Sequence, residues 1–132
     1  MGRLNGRVAL VSGGAGGCGA AAARLFAAEG AKVGILDRQA AAGEAVAAEI
    51  KAKGGAAAFA QADVSQAAAV EAAVAQIAGA LGPIDTLFNH AGTLVVKPFL
   101  ETSETDWDWL MAVNVKSMFL VTRAVLPMML AK

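Results

Sequence analysis

Ser12-Gly13-Gly14-Ala15-Gly16-Gly17-Cys18-Gly19 stands between a short apolar run, Val8-Ala9-Leu10-Val11, and an alanine-rich stretch from Ala20 to Glu29. A parallel strand that turns through glycines into a helix presents bare backbone N–H groups at the helix start. With the positive end of the helix dipole, those donors suit a pyrophosphate. By spacing, Gly13, Gly17 and Gly19 share three tasks: a tight turn, close approach of the pyrophosphate to the backbone, and close helix–strand packing. Chains rich in alanine and glycine also produce this spacing by chance, as a plain strand-to-helix turn. Asp37 adds the second half of the pattern. It follows another apolar run, 18 residues after Gly19, near the ~20 expected of an acid that binds adenosine ribose hydroxyls. Read alone, it would be a strand-end aspartate or a helix cap. A carboxylate there accepts from a free 2′-hydroxyl and repels a 2′-phosphate, so NAD is expected before NADP. The neighbouring Arg38 pulls the other way.

The elements that must hold these groups show as alternation. Apolar runs at Val8–Ser12, Lys32–Asp37, Ala57–Asp63 and Ile84–Asn89 are separated by alanine-rich segments, the pattern of repeated βαβ units. Continuous apolarity in the first, second and fourth predicts parallel strands covered on both faces. The third, weaker run suits an edge. The first helix should end at Glu29-Gly30, and the second should run from about Ala40 to Lys53 and stop at Gly54-Gly55. The third should start after Ser65 as N-cap, carry Val70, Val74 and Ile77 on one face, and stop at Gly82-Pro83. A fourth should begin near Ser103, with Asp106 in its first turn, and break or continue into Val115–Leu130, where Pro127 should kink or end it. Right-handed crossovers then leave one simple solution for residues 1–132. It is a single α/β domain, a Rossmann-type open parallel sheet with helices on both faces, its first and fourth strands flanking the crevice where strand order reverses.

Composition removes other classes. The chain is 57% hydrophobic and 17% charged, too apolar for disorder. Eleven basic and eleven acidic residues balance, with no basic stripe, so nucleic acid is not an expected partner. Cys18 and His90 are the only cysteine and histidine, too few soft ligands for a structural zinc, and no metal site is expected. A lone cysteine points to a reduced, cytoplasmic protein. The N-terminus lacks a signal-peptide core and a myristoylation pattern. Met118–Leu130, interrupted by Arg123, falls short of a membrane span.

Four landmarks now line up: Ser12-Gly13-x-x-x-Gly17-x-Gly19, Asp63-Val64, Asn89-His90-Ala91-Gly92 and Asn114. In order and spacing they resemble the short-chain dehydrogenase/reductase family over nearly the whole chain. The resemblance implies that Ser12, Gly13, Gly16, Gly17 and Gly19 form the loop beneath a dinucleotide, with Cys18 toward its nicotinamide side. Asp37 and Arg38 would meet the ribose, and Asp63 and Val64 the adenine. Asn89, Ala91 and Gly92 would line the crevice after the fourth strand. Asn114 matches the family's active-site asparagine, which holds a water linked to a catalytic lysine. Three positions depart from the family. Ser12 replaces threonine but keeps the hydroxyl, Cys18 replaces an aliphatic residue as a small packing side chain, and His90 replaces a second asparagine. His90 reads as a satisfied crevice residue rather than a general base.

The family moves hydride between nicotinamide and a carbinol or carbonyl carbon, using a serine and a Tyr-x-x-x-Lys element. This chain has no tyrosine. It is therefore expected to be the family's N-terminal, cofactor-binding half, with strands one to four and the helices up to the long helix before the fifth strand. Alone it should lack dehydrogenase activity. The complete enzyme's small-molecule alcohol or ketone cannot be inferred. The alternative is a non-catalytic nucleotide-binding or regulatory partner subunit derived from the family. A methyltransferase binding S-adenosylmethionine would share the loop and the acid, but leaves Asn89-His90-Ala91-Gly92 and Asn114 unexplained. No Gly-Lys-Ser/Thr follows the loop, which removes a P-loop kinase. An open edge on the fourth strand and a sticky 106–130 helical face with Trp107, Trp109, Met118, Phe119 and Leu120 predict a homo-oligomer.

Overall fold

A computed structural model describes residues 2–132. Val8–Ser12 (β1), Lys32–Asp37 (β2), Ala57–Gln61 (β3) and Thr86–Asn89 (β4) form one sheet in the order β3-β2-β1-β4, every pairing parallel. Leu10 lies opposite Gly34 on one side and Leu87 on the other, and Ser12 opposite Leu36 and Asn89. All four carboxyl ends therefore reach the same rim, and the chain has a Rossmann-type α/β fold. β3 is an edge, as its weak pattern predicts. It stops at Gln61 rather than Asp63, because Asp63 turns its carboxylate onto the backbone and hydroxyl of Ser65. β4 pairs with β1 only, so its other edge is open among the described residues.

The helices are Gly17–Ala28 (α1), Ala40–Ala52 (α2), Ala67–Leu81 (α3), Glu104–Met111 (α4) and Ser117–Leu130 (α5). Alternation along the strands divides the core into two layers. Ala9, Val11, Val33 and Ile35 meet α1 and α2 through Ala23, Val46 and Ile50. Leu10 and Leu36 meet α3 and α5 through Val70, Val74, Ile77 and Val125. Burying each such aliphatic side chain stabilises the fold by about 1.5–3 kcal/mol.

Three local expectations need correction. The N-cap of α3 is Gln66 and not Ser65, whose hydroxyl donates to Asp63 instead. Pro127 does not end α5, which continues to Leu130. The irregularity falls at Ala112–Lys116, a π turn joining α4 to α5. Glu104–Leu130 is thus one 27-residue helical run with mean hydropathy 1.3 in an 18-residue window, long and apolar enough by those measures to cross a membrane. Here Val113, Ser117, Leu120, Val121 and Val125 are buried along it, and α5 packs on α3 and β4. Leu120, at 7% exposure, belongs to that core and not to the sticky face. Trp107 and Phe119, at 61% and 59%, do face outward.

Candidate functional site

The carboxyl rim of the sheet opens into a cleft of about 550 Å3, within the ~300–1,000 Å3 usual for small-molecule sites. Its floor is the glycine loop, and the three glycines differ in what surrounds them. Gly13 has φ 69°, and a Cβ there would lie 2.8 Å from Ala91 Cα, so the turn is tight and the segment after β4 rests on it. A Cβ on Gly19 would lie 2.0 Å from the Gly13 carbonyl oxygen, because α1 packs directly on the exit of β1. Gly17 has φ 54°, and a Cβ there would meet nothing within 4 Å. The backbone at the start of α1 is bare. No side chain caps α1 and no acid stands in its first turn, so its first N–H groups have no anionic partner from the protein.

Side chains bind the surrounding loops to this floor. Ser12, 2% exposed, accepts from His90 N–H at 3.0 Å and Ala91 N–H at 3.1 Å. One hydroxyl thus latches the exit of β4 to that of β1. Asn114, on the π turn, accepts from Thr93 N–H at 2.6 Å and donates to Thr93 C=O at 2.9 Å. Both ends of its amide are given to that loop. Asn89 donates to the Thr122 hydroxyl at 3.0 Å and so turns toward α5.

The far wall is charged. Asp37, half-buried, accepts from Ala15 N–H at 3.1 Å through one oxygen and from Gln39 N–H at 3.0 Å through the other. Its carboxylate is pinned at the end of β2, and each oxygen keeps a second lone pair for a ligand. The Ser65 hydroxyl and N–H hold the Asp63 carboxyl below its ordinary range, with a smaller pull from the Arg38 guanidinium. The cleft therefore carries both bare amide donors and a carboxylate acceptor.

Of the residues expected at the site, Gly13, Gly16, Gly17, Asp37, Arg38, Asp63, Val64, Ala91 and Gly92 line the cleft. Ser12, Gly19, Asn89 and Asn114 stand behind it as supports. Cys18 is exposed, which corrects its reading as a packing residue. Trp109 and Val113, missed by the sequence reading, form a further wall. Their i, i+4 spacing was the available signal, since it places both on one face of a helix.

A profile of the family described as short chain dehydrogenase matches residues 7–132. The 2,5-dichloro-2,5-cyclohexadiene-1,4-diol dehydrogenase LinX of Sphingobium indicum is 45% identical over 125 residues, covering 95% of this chain and 50% of that protein. D-threitol dehydrogenase of Mycolicibacterium smegmatis is 42% identical over 123 residues, covering 93% and 47%. A solved dehydrogenase/reductase from Sinorhizobium meliloti 1021 superposes with a TM-score of 0.90 at 39% identity, covering 94% of this chain and 50% of that one. The chain spans about half the length of the curated relatives it matches.

Proposed function

The chain belongs to the short-chain dehydrogenase family, and from that premise we propose that residues 1–132 bind NAD(H) for an oxidoreductase acting on a small alcohol or ketone. The observation that carries this reading is the uncapped start of α1 and a pinned carboxylate lining one cleft. When bound, the nicotinamide supplies the donor or acceptor of the hydride. The chain's own residues bind and orient. Amides of the glycine loop donate to the pyrophosphate, and Asp37 accepts from a ribose hydroxyl, with Arg38 beside it. Asp63 and Val64 flank the adenine, and Ala91 and Gly92 close over the crevice. Ser12, Gly19 and Asn89 keep that crevice in shape. Asn114 holds the loop at Thr93 and serves the active site from behind.

The chain holds no tyrosine, so the proposal for these residues is cofactor binding without turnover. The outward Trp107, Met118 and Phe119 and the open edge of β4 support self-association. One exposed, unpaired cysteine fits a reducing cytoplasm.

Fluorescence titration tests the cleft. NADH should bind the purified protein more tightly than NADPH. Asp37→Ala should weaken NADH by about tenfold, the scale of one charge-assisted hydrogen bond, and should narrow the gap to NADPH. Alcohols with NAD should give no reduction. Equal affinity for both cofactors, unchanged in the variant, would falsify the assignment of Asp37.

A further inference from the structure

His90 lines the cleft, and the reading above leaves its imidazole unused. Its backbone N–H is given to Ser12, but among the described residues its ring nitrogens have no hydrogen-bond partner. Nor are they sealed, since no buried side-chain nitrogen or oxygen is left unpartnered. His90 is among the residues lining the cleft. Phe88, two residues earlier on the same face, stacks on it at 5.3 Å with a 35° tilt, and Phe26 of α1 packs against Phe88 at 6.2 Å. The ring edge fills space left by two glycines. Cδ2 would be 2.7 Å from a Cβ on Gly19 and 3.3 Å from one on Gly13. The imidazole is thus wedged against the loop whose amides face the cleft.

The charges around it are few. Residues 12–19 contain none, and Cys18 is the only titratable group at the start of α1. The same cleft is lined by Asp37, Arg38 and Asp63, with Asp37 bonded to the loop at Ala15 N–H. The loop after β4 has its first charge at Lys97, already paired with Asp106. Residues 12–19 bring no lysine or arginine of their own, and Arg38 is the single basic residue lining the cleft.

We propose that His90 contacts the pyrophosphate of the bound dinucleotide, taking up a solvent proton as the phosphates arrive and so tying cofactor affinity to pH. This rests on the cleft being the dinucleotide site. Imidazole is the side chain whose charge changes between pH 5 and 8. A ligand that favours the protonated form binds more weakly as pH rises, and by reciprocity it holds the proton on the ring.

His90 is the only histidine, so its ring signals can be followed directly by NMR. Adding NADH should displace their titration midpoint upward, and adding adenosine, which lacks phosphates, should not. NADH should bind about fivefold or more weakly at pH 8 than at pH 6, with adenosine unchanged. In His90→Asn and His90→Gln, both checked for a cooperative melt, NADH affinity should vary less than about twofold over that range. A wild-type pH slope retained in both variants, or an unmoved NMR midpoint, overturns the proposal and leaves the cleft assignment standing. Equal weakening of NADH and adenosine in the variants also overturns it, by showing a packing role alone. Absence of NADH binding to the wild type at either pH overturns the cleft assignment and this contact with it.

Discussion

Ser12 shows how a single hydroxyl can fix a site. It is buried between two strand exits and is the acceptor for two N–H groups. Ser12→Ala should cost about 1–3 kcal/mol, the penalty for leaving buried donors unpaired, measured as a lower urea midpoint with an unchanged slope. Ser12→Thr should restore most of that loss. The tight turn at Gly13 and the close packing at Gly19 were legible in the sequence because they are backbone constraints, which spacing encodes. Asn89 and Asn114 were legible as positions but not as contacts. Their amides reach Thr122 and Thr93, and nothing in a linear sequence says which distant hydroxyl or peptide a side chain will meet. Trp109 was grouped with an outward apolar face for the same reason. Its place in the cleft depends on where α4 crosses the sheet.

Among elements, β1 and β2 were legible to the residue, because a parallel strand covered on both faces must be apolar throughout, whereas β3 ends two residues before Asp63 and β4 begins at Thr86, two residues after Ile84. The start of α4 was legible too, through the capping box of Ser103 and Asp106. The π turn at Ala112–Lys116 was not, since no residue type marks one extra residue in a helical turn. Pro127 does not end α5, although its missing N–H leaves the Arg123 carbonyl without its helical partner. A contact at the amino end of β4 carries a pH consequence. Burial pushes the Asp85 carboxyl up, but donation from Lys132, the Thr86 hydroxyl and Val8 N–H outweighs it, and the group sits below its ordinary range. A carboxylate lowered on folding stabilises the protein above its unfolded pKa, about 4, and loses that contribution as pH falls through the folded value. Asp85→Asn should therefore lower the melting temperature at pH 7 more than at pH 3. A constant difference at both pH values would show that Asp85 matters only for packing.

Across the whole molecule, one face remains without a protein neighbour among the described residues. β4 has one open edge among those residues, and Trp107, Met118 and Phe119 of α4 and α5 face outward. The self-association proposed above would use that apolar surface. Sedimentation at micromolar concentration should give more than the mass of one chain, and Phe119→Asp should shift the distribution toward the monomer. A wild type that stays monomeric throughout that range would remove self-association from the proposal.

The strand order also sets a timetable. β1 is made first, yet it is the interior strand that needs partners on both sides, and its contact with Asp85 joins residues 77 apart in sequence. On the ribosome, Val8–Ser12 must wait, paired on one side only, until Thr86–Asn89 has left the exit tunnel. A chain arrested before that point leaves its most apolar strand half-covered, so the interval before residue 89 emerges is when a nascent-chain chaperone matters most.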